Sequence, residues 1–397
     1  MRIFVVPFVL AFILLLVIDY VIMRKLWKTG RVHGRVLAVV NGVVSLGLLV
    51  AIIVTFLSSC PTKADVVARS VVSARLVLAF LFVSVPKFLW GLFHGLGSIK
   101  RMRHDLSTLF KWTGNALAAV SPIIMLYGTF FTPYKVDVTE VECEFAALPQ
   151  AFDGYRIAQF SDAHLGTFNG DTAFVSQFVD AINAQKPDAI CFTGDLVSMT
   201  VEEARPYVPV LKRLHARDGV FTILGNHDYA MYMKDLSDSE KAADVQELCA
   251  LQRSLGWTML NNSASVIKHG SDSIAIVGTD NYGKPPYPND FDYNKASQGL
   301  NGVFKVHLQH NPQTWRPELL GKDAPLTLSG HTHAMQFCIN LFGYRWSPAS
   351  FIYDEWGGTY QEGDQVLYVN TGIGMVGPPF RIGVQPEVTV ITLHRKK

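Results

Sequence analysis

Charged residues are scarce in this 397-residue chain, and the shortage is concentrated in its first third. Asp, Glu, Lys and Arg make up 17% of the sequence, whereas about 25% is typical of soluble proteins. The excess of positive charge is also small, with a formal net charge of +2. Because proteins that bind nucleic acid usually present a strongly basic surface, no nucleic-acid partner is expected.

Cysteine is the second scarce residue. The five cysteines are widely and irregularly spaced and form no Cys-x-x-Cys pair, so a disulfide framework is not expected. Cys191 lies within an apolar run, and we predict that it is a small buried hydrophobic side chain.

Long uncharged runs, in contrast, are abundant before residue 133. Residues 3–18, 36–57 and 112–131 carry no charge, and residues 71–93 form a weaker run interrupted by two cations and a proline. A helix of about 20 apolar residues crosses the hydrocarbon core of a bilayer. The pattern therefore predicts a membrane domain of about four transmembrane helices over residues 1–133, in contact with membrane lipids.

The basic residues between these runs predict the orientation. Residues 24–35 contain five Lys or Arg and residues 100–111 contain four, while the loop around Lys63 and Asp65 is nearly neutral. Loops rich in Lys and Arg stay in the cytoplasm. The following domain should then face outward from the inner (cytoplasmic) membrane. If residues 71–93 do not span, the same domain faces the cytoplasm.

Residues 134–397 have the composition of an ordinary soluble domain, in which short apolar runs alternate with amphipathic stretches. The runs YRIAQF, DAICFT and GVFTIL precede predicted helices at residues 172–185, 201–214 and 241–255. Such alternation is typical of an α/β sheet covered on both faces. The later runs SIAIVG, VFKVHL, APLTLS and QVLYVN have short connections and predict a more antiparallel second half.

Polar residues follow five of these runs, in the motifs SDAH, GDL, GNHD, QHNP and GHTH. A single Asp after a strand is more often a helix cap than a functional group. Five strand ends that share a sheet edge, however, would bring their side chains into one crevice. The residues concerned are Asp162, His164, Asp195, Asn226, His227, Asp228, His310, His331 and His333.

Seven of these side chains are possible metal ligands, which is too many for one tetrahedral zinc. They suit two divalent ions about 3.5–4 Å apart that share a carboxylate. Oxygen and imidazole ligands without a thiolate favour Mn, Fe or Zn over Ca or Mg.

The order SDAH, GDL, GNHD, His, GHTH resembles the calcineurin-like metallophosphoesterase superfamily, and more closely its membrane-tethered bacterial branch. The resemblance covers about residues 155–393 and implies a four-layer α/β/β/α sandwich over residues 134–397. It implies that one metal is bound by Asp162, His164 and His333 and the other by Asn226, His310 and His331, with Asp195 as the bridge. It further implies that His227 protonates the leaving oxygen and is oriented by Asp228.

The resemblance implies a phosphoesterase that acts on phosphomono- or phosphodiesters. The predicted membrane domain favours an amphiphilic lipid or cell-envelope substrate, or a lipid-linked sugar nucleotide if the domain is cytoplasmic. The alternative is a catalytically silent membrane scaffold or sensor. One departure concerns Ala334-Met335-Gln336, where relatives usually carry Gly-Gly-Gln after the GHTH motif.

Three other features have competing interpretations. GIGMVG matches a dinucleotide-binding pattern, but two prolines follow it, so we predict a rigid loop instead of a cofactor site. Arg381 is either a contact for a substrate phosphate or a surface cation. Residues 282–293 form a Tyr- and Pro-rich loop, for which a lid over the site is one hypothesis.

Overall fold

The computed structural model describes residues 17–28, 30–60, 62–233, 236–284 and 287–396. These residues fall into two compact units. One contains the chain up to Ser59 together with Val72–Thr129, and the other contains Cys60–Val71 together with Phe130–Lys397.

The first unit is built from long apolar helices: α1 (Val32–Leu57), α2 (Lys63–Leu96) and α3 (His104–Phe130). Residues 17–28 are also helical. Among the described residues, three stretches are long and apolar enough to cross a membrane: Val32–Leu57, Lys63–Leu96 and His104–Tyr134. The weak run at residues 71–93 therefore lies inside a candidate span. The predicted span at residues 3–18 lies, apart from its last two residues, outside the described part of the chain.

One charged pair lies among these apolar helices. Lys87 Nζ is 2.8 Å from Asp19 Oδ1 and 2.7 Å from the hydroxyl of Ser45, and Asn41 also donates to Asp19. Charged side chains within apolar helices are costly unless they are paired. The pairing explains how Asp19 and Lys87 are tolerated in a hydrophobic segment.

The second unit contains two six-stranded sheets. In spatial order, the first consists of β1 (Asp137–Phe145), β14 (Glu387–Arg395), β2 (Tyr155–Phe160), β3 (Ala189–Phe192), β4 (Val220–Thr222) and β5 (Thr258–Met259). The second consists of β12 (Gly358–Glu362), β13 (Gln365–Val369), β9 (Leu326–Ser329), β8 (Phe304–Leu308), β7 (Asp272–Gly278) and β6 (Ser263–His269). A separate hairpin pairs β10 (Ile339–Leu341) with β11 (Tyr344–Trp346).

Strand direction differs from the expectation in the second sheet. The inner strands β13, β9, β8 and β7 are parallel, and only the edge strands β12 and β6 pair antiparallel with their neighbours. The prediction of a more antiparallel half is therefore wrong for the strands that carry the histidine motifs. Because β2, β3 and β4 are also parallel, their carboxyl ends lie at one edge of the first sheet.

The hydrophobic core confirms the four-layer α/β/β/α sandwich. Ile157 and Cys191 of the first sheet share one buried cluster with Val306 and Leu328 of the second. The outer face of the first sheet is covered by α4 (Thr172–Ala184), α5 (Val208–Leu211) and α6 (Asp238–Ser254), and the outer face of the second by α7 (Tyr293–Ala296) and the turns around Trp315.

The helix predictions hold except between β3 and β4. The predicted helices at 172–185 and 241–255 correspond to α4 and α6, and α6 begins with a capping box between Ser237 and Glu240. The predicted helix at 201–214 is instead two short 3-10 turns followed by α5. Pro206 and Pro209 explain the break, because proline lacks the amide hydrogen that a continuous helix needs.

The start of α2, up to Val71, belongs to the second unit. Lys63 Nζ lies 2.6 Å from Asp244 Oδ1, and the Asp244 carboxylate also accepts from the Thr200 hydroxyl and the Val201 amide. The side chain of Asp244 is 1% exposed, so its charge depends on these donors.

Replacement of Lys63 by Met should lower the free energy of unfolding of the second unit by about 1–3 kcal/mol, because Asp244 would lose its cation while staying buried. Urea unfolding of the detergent-solubilised chain measures this. Lys241→Met is the matched control, since its partner Asp238 is exposed, and it should change the value by no more than about 0.5 kcal/mol. Equal effects of the two substitutions would contradict a role for the buried pair.

Candidate metal centre

The predicted site residues lie at the carboxyl ends of five strands. Asp162 and His164 follow β2, Asp195 follows β3, and residues 226–228 follow β4. His310 follows β8 of the second sheet, while His331 and His333 follow β9. Because both sheets end at the same side of the sandwich, the loops from both reach a common centre.

The backbone at these loops differs from the extended form that the Asp-x-His and His-x-His spacing suggests. Five of the seven predicted ligands have positive φ: Asp162, His164, Asp195, His331 and His333. Such conformations are rare for residues other than glycine and cost on the order of 1–3 kcal/mol each. On extended backbone, an Asp-x-His or His-x-His spacing would point both side chains the same way, but the backbone here is not extended. The left-handed turns aim them instead.

One group of ligands surrounds Asp162. His333 Nε2 is 3.2 Å from Asp162 Oδ1, and His164 Nε2 is 3.1 Å from His333 Nε2. All three side chains are buried. Three ligand atoms this close to one another can hold one cation.

A second group surrounds His310. Its Nε2 atom is 3.2 Å from Asp195 Oδ2, 3.1 Å from Asn226 Oδ1 and 3.2 Å from His331 Nδ1. The same Asp195 oxygen is 3.6 Å from His164 Nε2 in the first group. Asp195 therefore faces both groups, which is the position of a shared ligand.

The carboxylates give this centre a negative potential. Burial works against ionisation of Asp162 and Asp195, but the neighbouring His333 and His310 outweigh it and lower the pKa of each carboxyl well below its usual range. Burial alone would lower the pKa of His310, yet Asp195 and Asp162 raise it to about 9. The negative potential that keeps His310 protonated would also favour a divalent cation in place of that proton.

A further set of groups orients the imidazoles. His310 Nδ1 donates to the carbonyl of Thr193 at 2.8 Å, which directs its Nε2 lone pair at the centre. His331 Nε2 contacts the Tyr353 hydroxyl at 3.2 Å, and His164 Nδ1 contacts the Ser198 hydroxyl at 3.1 Å. Such partners select the ring nitrogen that is free to bind metal. No motif in the sequence identifies Thr193 or Tyr353, because both become neighbours only in the fold.

The resemblance implies that Asp228 orients His227, but in the structure the Asp228 carboxylate contacts backbone amides. It accepts from the amides of Asp195, Leu196, Val197 and Gly225 at 2.8–3.2 Å. Burial and the charge of Asp195 raise the pKa of Asp228 to about 7, against these amide donors. Asp228 therefore holds the loop that carries Asp195 in place.

The His227 ring is positioned by other groups. Its Nδ1 atom donates to the carbonyl of Ser198 at 2.8 Å, and its backbone amide donates to Asp195 Oδ1 at 2.8 Å. The ring of Tyr232 stacks on it, with centroids 4.2 Å apart. The Tyr232 hydroxyl also accepts from the Asn226 amide at 3.1 Å. Sequence reasoning missed Ser198 and Tyr232.

A cavity of about 330 Å³ opens beside these groups. Its polar side includes Asp195, Asn226, His227, His331 and His333. Its apolar side is formed by Tyr232, Met335, Val376, Pro378 and Phe380. The Tyr287 ring, from the predicted lid loop, lies 5.8 Å from that of Tyr232, and the lid function stays a prediction. The cavity can thus accept a phosphoryl group on one side and an apolar group on the other.

Arg381 has neither of its expected roles. It is fully buried and donates to the carbonyls of Thr371, Gly372 and Gly374. One of its nitrogens lies 3.5 Å from His333 Nδ1. Arg381 thus secures the GIGMVG loop behind a predicted ligand, which agrees with the rigid-loop interpretation of that motif.

Two glycines are required for close approach of the loops. A Cβ atom on Gly225 would lie 2.2 Å from Asp195 Oδ1, and one on Gly330 would lie 2.3 Å from Asp162 Oδ2. Neither glycine has positive φ, so the need for glycine at these positions comes from the missing Cβ and not from a left-handed backbone. Their function is to leave room for the carboxylates.

Ala334 and Met335, which stand where the resemblance implies Gly-Gly, lie in a segment of left-handed backbone. His333, Ala334, Met335 and Gln336 all have φ between 48° and 57°. Glycine adopts this region without strain, so the Gly-Gly that the resemblance implies would fit this backbone more easily than Ala-Met. Gln336 holds the turn, since its side-chain amide donates to the carbonyls of Pro378 and Phe380.

Met335→Gly should therefore be more stable than Met335→Ala by about 1 kcal/mol, the reverse of the usual order of these residues. Both substitutions remove the same side chain, so their difference isolates the backbone at φ 48°. Thermal or urea unfolding of the two variants measures it. An Ala variant that is the more stable of the two would argue against a left-handed residue 335.

Comparison with known proteins agrees with this geometry. Residues 155–335 match the calcineurin-like phosphoesterase family. The chain is 32% identical over 275 residues to the uncharacterized metallophosphoesterase YkuE of Bacillus subtilis, covering 67% of this chain and 88% of that protein.

Two further relatives bear on membrane location and substrate. A transmembrane protein with metallophosphoesterase domain from Danio rerio is 28% identical, covering 81% of this chain and 71% of the relative. The UDP-2,3-diacylglucosamine pyrophosphatase LpxG of Chlamydia trachomatis is 28% identical, covering 57% of this chain and 81% of the relative.

Proposed function

The chain belongs to the calcineurin-like metallophosphoesterase family of hydrolases, and we propose that it is a membrane-anchored enzyme that hydrolyses phosphomono- or phosphodiester bonds with two divalent metal ions. The observation that carries the proposal is the position of Asp195, whose Oδ2 atom is 3.2 Å from His310 Nε2 and 3.6 Å from His164 Nε2.

The donor set fits divalent cations of the Mn, Fe or Zn type, since it combines carboxylate, amide and imidazole ligands. One ion would be held by Asp162, His164 and His333, the other by Asn226, His310 and His331, and both by Asp195. When bound, the two ions would supply a water of lowered pKa and would neutralise charge on the phosphoryl oxygens.

His227 is the proposed proton donor to the leaving oxygen. The carbonyl of Ser198 holds a proton on Nδ1, so Nε2 is the atom that exchanges a proton with substrate. Burial lowers the pKa of His227, which makes its protonated form a stronger acid. Asp228 acts on this step through the loop that carries Asp195, whose carboxylate contacts the His227 amide.

An amphiphilic phosphoester is the proposed substrate class. The cavity places apolar side chains such as Met335 and Phe380 opposite the ligand groups, which suits a phosphoryl group joined to an apolar moiety. A chain anchored in a bilayer by the candidate membrane spans is surrounded by lipids that could serve as substrate. One relative is named for hydrolysis of a diacylated sugar nucleotide, which supports a lipid-linked substrate.

We place the catalytic domain outside the inner membrane. If α1, α2 and α3 all span, the basic segments before α1 and between α2 and α3 lie on one side and residues 134–397 on the other. The positive-inside bias assigns the basic side to the cytoplasm. In this assignment residues 1–133 form the membrane domain and residues 134–397 the catalytic domain.

The test uses the full chain purified in detergent and loaded with Mn²⁺. Bound metal is counted by mass spectrometry, and turnover is compared for bis-p-nitrophenyl phosphate and p-nitrophenyl phosphate. Two ions per chain with turnover of either ester are expected. Metal binding without turnover of these esters or of phospholipids would favour the silent scaffold or sensor.

A further inference from the structure

Exposed apolar side chains of the second unit are concentrated next to the cavity. Among the described residues from 137 to 396, the large apolar side chains counted as exposed are Val266 and seven others between Met335 and Ile352. The seven are Met335, Ile339, Leu341, Phe342, Tyr344, Phe351 and Ile352. A contiguous apolar patch on a soluble surface usually marks an interaction site.

The patch is built on the β10–β11 hairpin. Ile339 pairs with Trp346 and Leu341 with Tyr344, so these four side chains share one face. The Trp346 ring also contacts Phe351, with centroids 5.8 Å apart, which extends the face. The opposite face carries the pair Asn340 and Arg345. The hairpin is therefore amphipathic.

The tip of the hairpin is a phenylalanine in an unfavourable conformation. Phe342 has φ 51° and is 100% exposed, and Gly343 follows with φ 81°. A two-residue turn of this kind normally carries Asn-Gly or Asp-Gly. A bulky residue at positive φ is an outlier that local packing does not explain at a fully exposed position. Strain of this sort points to a function that needs the aromatic ring.

The composition of the patch fits a lipid surface. Residues 337–352 contain no Asp or Glu, and Arg345 is their only charged residue. Tyr and Trp are enriched where proteins meet the interface of a bilayer, and an arginine on the polar face suits anionic headgroups. The connection between the candidate span α3 and β1 is short: six residues, 131–136, which span at most about 20 Å.

The hairpin is also joined to the proposed active site at both ends. At its start, the Cys338 amide donates to the carbonyl of Ile382 at 2.8 Å. After it, the Ser347 hydroxyl donates to the carbonyl of Ala334 at 2.6 Å. The Tyr353 hydroxyl then lies 3.2 Å from His331 Nε2. A lipid held at the apolar face is thus adjacent to the residues that line the cavity.

We propose that the β10–β11 hairpin, with Phe351, inserts its apolar face at the headgroup–acyl boundary of a phospholipid bilayer and presents the cavity to lipid phosphoesters. Bilayer contact rests on the proposed membrane anchoring, whereas presentation of lipid also rests on the proposed hydrolysis. The two parts are tested separately.

Bilayer contact is tested with the full chain in phospholipid nanodiscs that contain anionic lipid. A Phe342→Cys variant is labelled with the fluorophore NBD, and labelling is selective because all five native cysteines are buried. Blue-shifted emission and quenching by doxyl-labelled lipids are expected. The matched control is Asp364→Cys, in the exposed turn between β12 and β13, which should show neither effect.

Two results would overturn bilayer contact. One is emission typical of water at both positions. The other is a blue shift at residue 342 that grows with protein concentration but resists lipid quenchers, since this would show a protein partner.

Presentation of lipid is tested with Phe342→Ser. Loss of one buried aromatic side chain at the bilayer should reduce turnover of a vesicle-bound phospholipid by at least about tenfold. Turnover of bis-p-nitrophenyl phosphate should stay unchanged, because Phe342 does not line the cavity. An equal loss on both substrates, or no loss on either, would contradict this part. Absence of turnover in the unmodified chain would count against the proposed hydrolysis and leave the quenching result intact.

Discussion

Replacing Asp195 by Asn is expected to lower kcat/KM for phosphoester hydrolysis by at least about a thousandfold, or roughly 4 kcal/mol of transition-state stabilisation. The carboxylate of Asp195 faces both groups of predicted ligands, at 3.2 Å from His310 and 3.6 Å from His164. An amide of the same shape keeps the packing but removes the charge. The variant should also bind less metal, because one shared ligand serves both ions.

Steady-state kinetics and metal counting on the same preparation measure this effect. Asp180→Asn is the matched control, because Asp180 is exposed on α4 and pairs with Arg213 at the surface. It should retain activity within about twofold. Unreduced turnover by the Asp195→Asn variant would show that hydrolysis, if present, does not use this centre.

Replacing His227 by Gln is expected to lower kcat by about a hundredfold to ten-thousandfold for esters with a poor leaving group, such as an alkyl alcohol. The loss should be much smaller for p-nitrophenyl esters, whose leaving oxygen departs without a proton. Metal content should stay unchanged if His227 is not a ligand. Its ring lies close to His164 and Asp195, but Nδ1 is bonded to the carbonyl of Ser198 and the ring stacks on Tyr232.

The dependence on leaving group is what separates proton donation from a structural effect. A distorted site would slow both kinds of ester equally. His215→Gln provides a histidine control, since His215 is exposed in the segment that leads to β4. An equal fall in kcat for esters with good and poor leaving groups would show that His227 is not the proton donor. His227 would then only position other groups.

The pKa values of two histidines in this centre predict how cation binding depends on pH. His310 holds a proton up to a pH of about 9 because two ionised carboxylates face it, whereas burial and His310 lower the pKa of His331 to about 3. A divalent ion that binds at His310 must displace that proton. Metal affinity is therefore expected to rise with pH through the neutral range.

Much of the architecture follows from sequence pattern alone. Apolar runs such as residues 155–160 correspond to strands because their length and largely apolar composition suit a buried strand. The motifs after five strands predicted the nine residues that the fold brings to one edge, since parallel strands end on the same side. The uncharged runs likewise predicted α1 and α3 as candidate spans.

Sequence pattern failed where long-range contacts decide the local conformation. The helix predicted at 201–214 from its apolar periodicity is broken by Pro206 and Pro209. Strand β1 was not predicted, because its acidic residues alternate along an edge strand and suggest a loop. Its pairing with β14, more than two hundred residues away in the chain, creates the strand.

The sequence by itself determined the family and predicted the two-part organisation of the chain and the candidate ligand groups, because these depend on residue type and order. Only the tertiary structure decided how those groups are oriented. Three features show this: the left-handed turns at Asp162 and His333, the hydrogen bonds that Asp228 accepts from four backbone amides, and the burial of Arg381 behind His333. The bonds from the Asp195 loop to Asp228 and the approach of Arg381 to His333 join segments distant in sequence. Composition and periodicity carry no information about such contacts, which arise when two sheets pack and their loops compete for the same space.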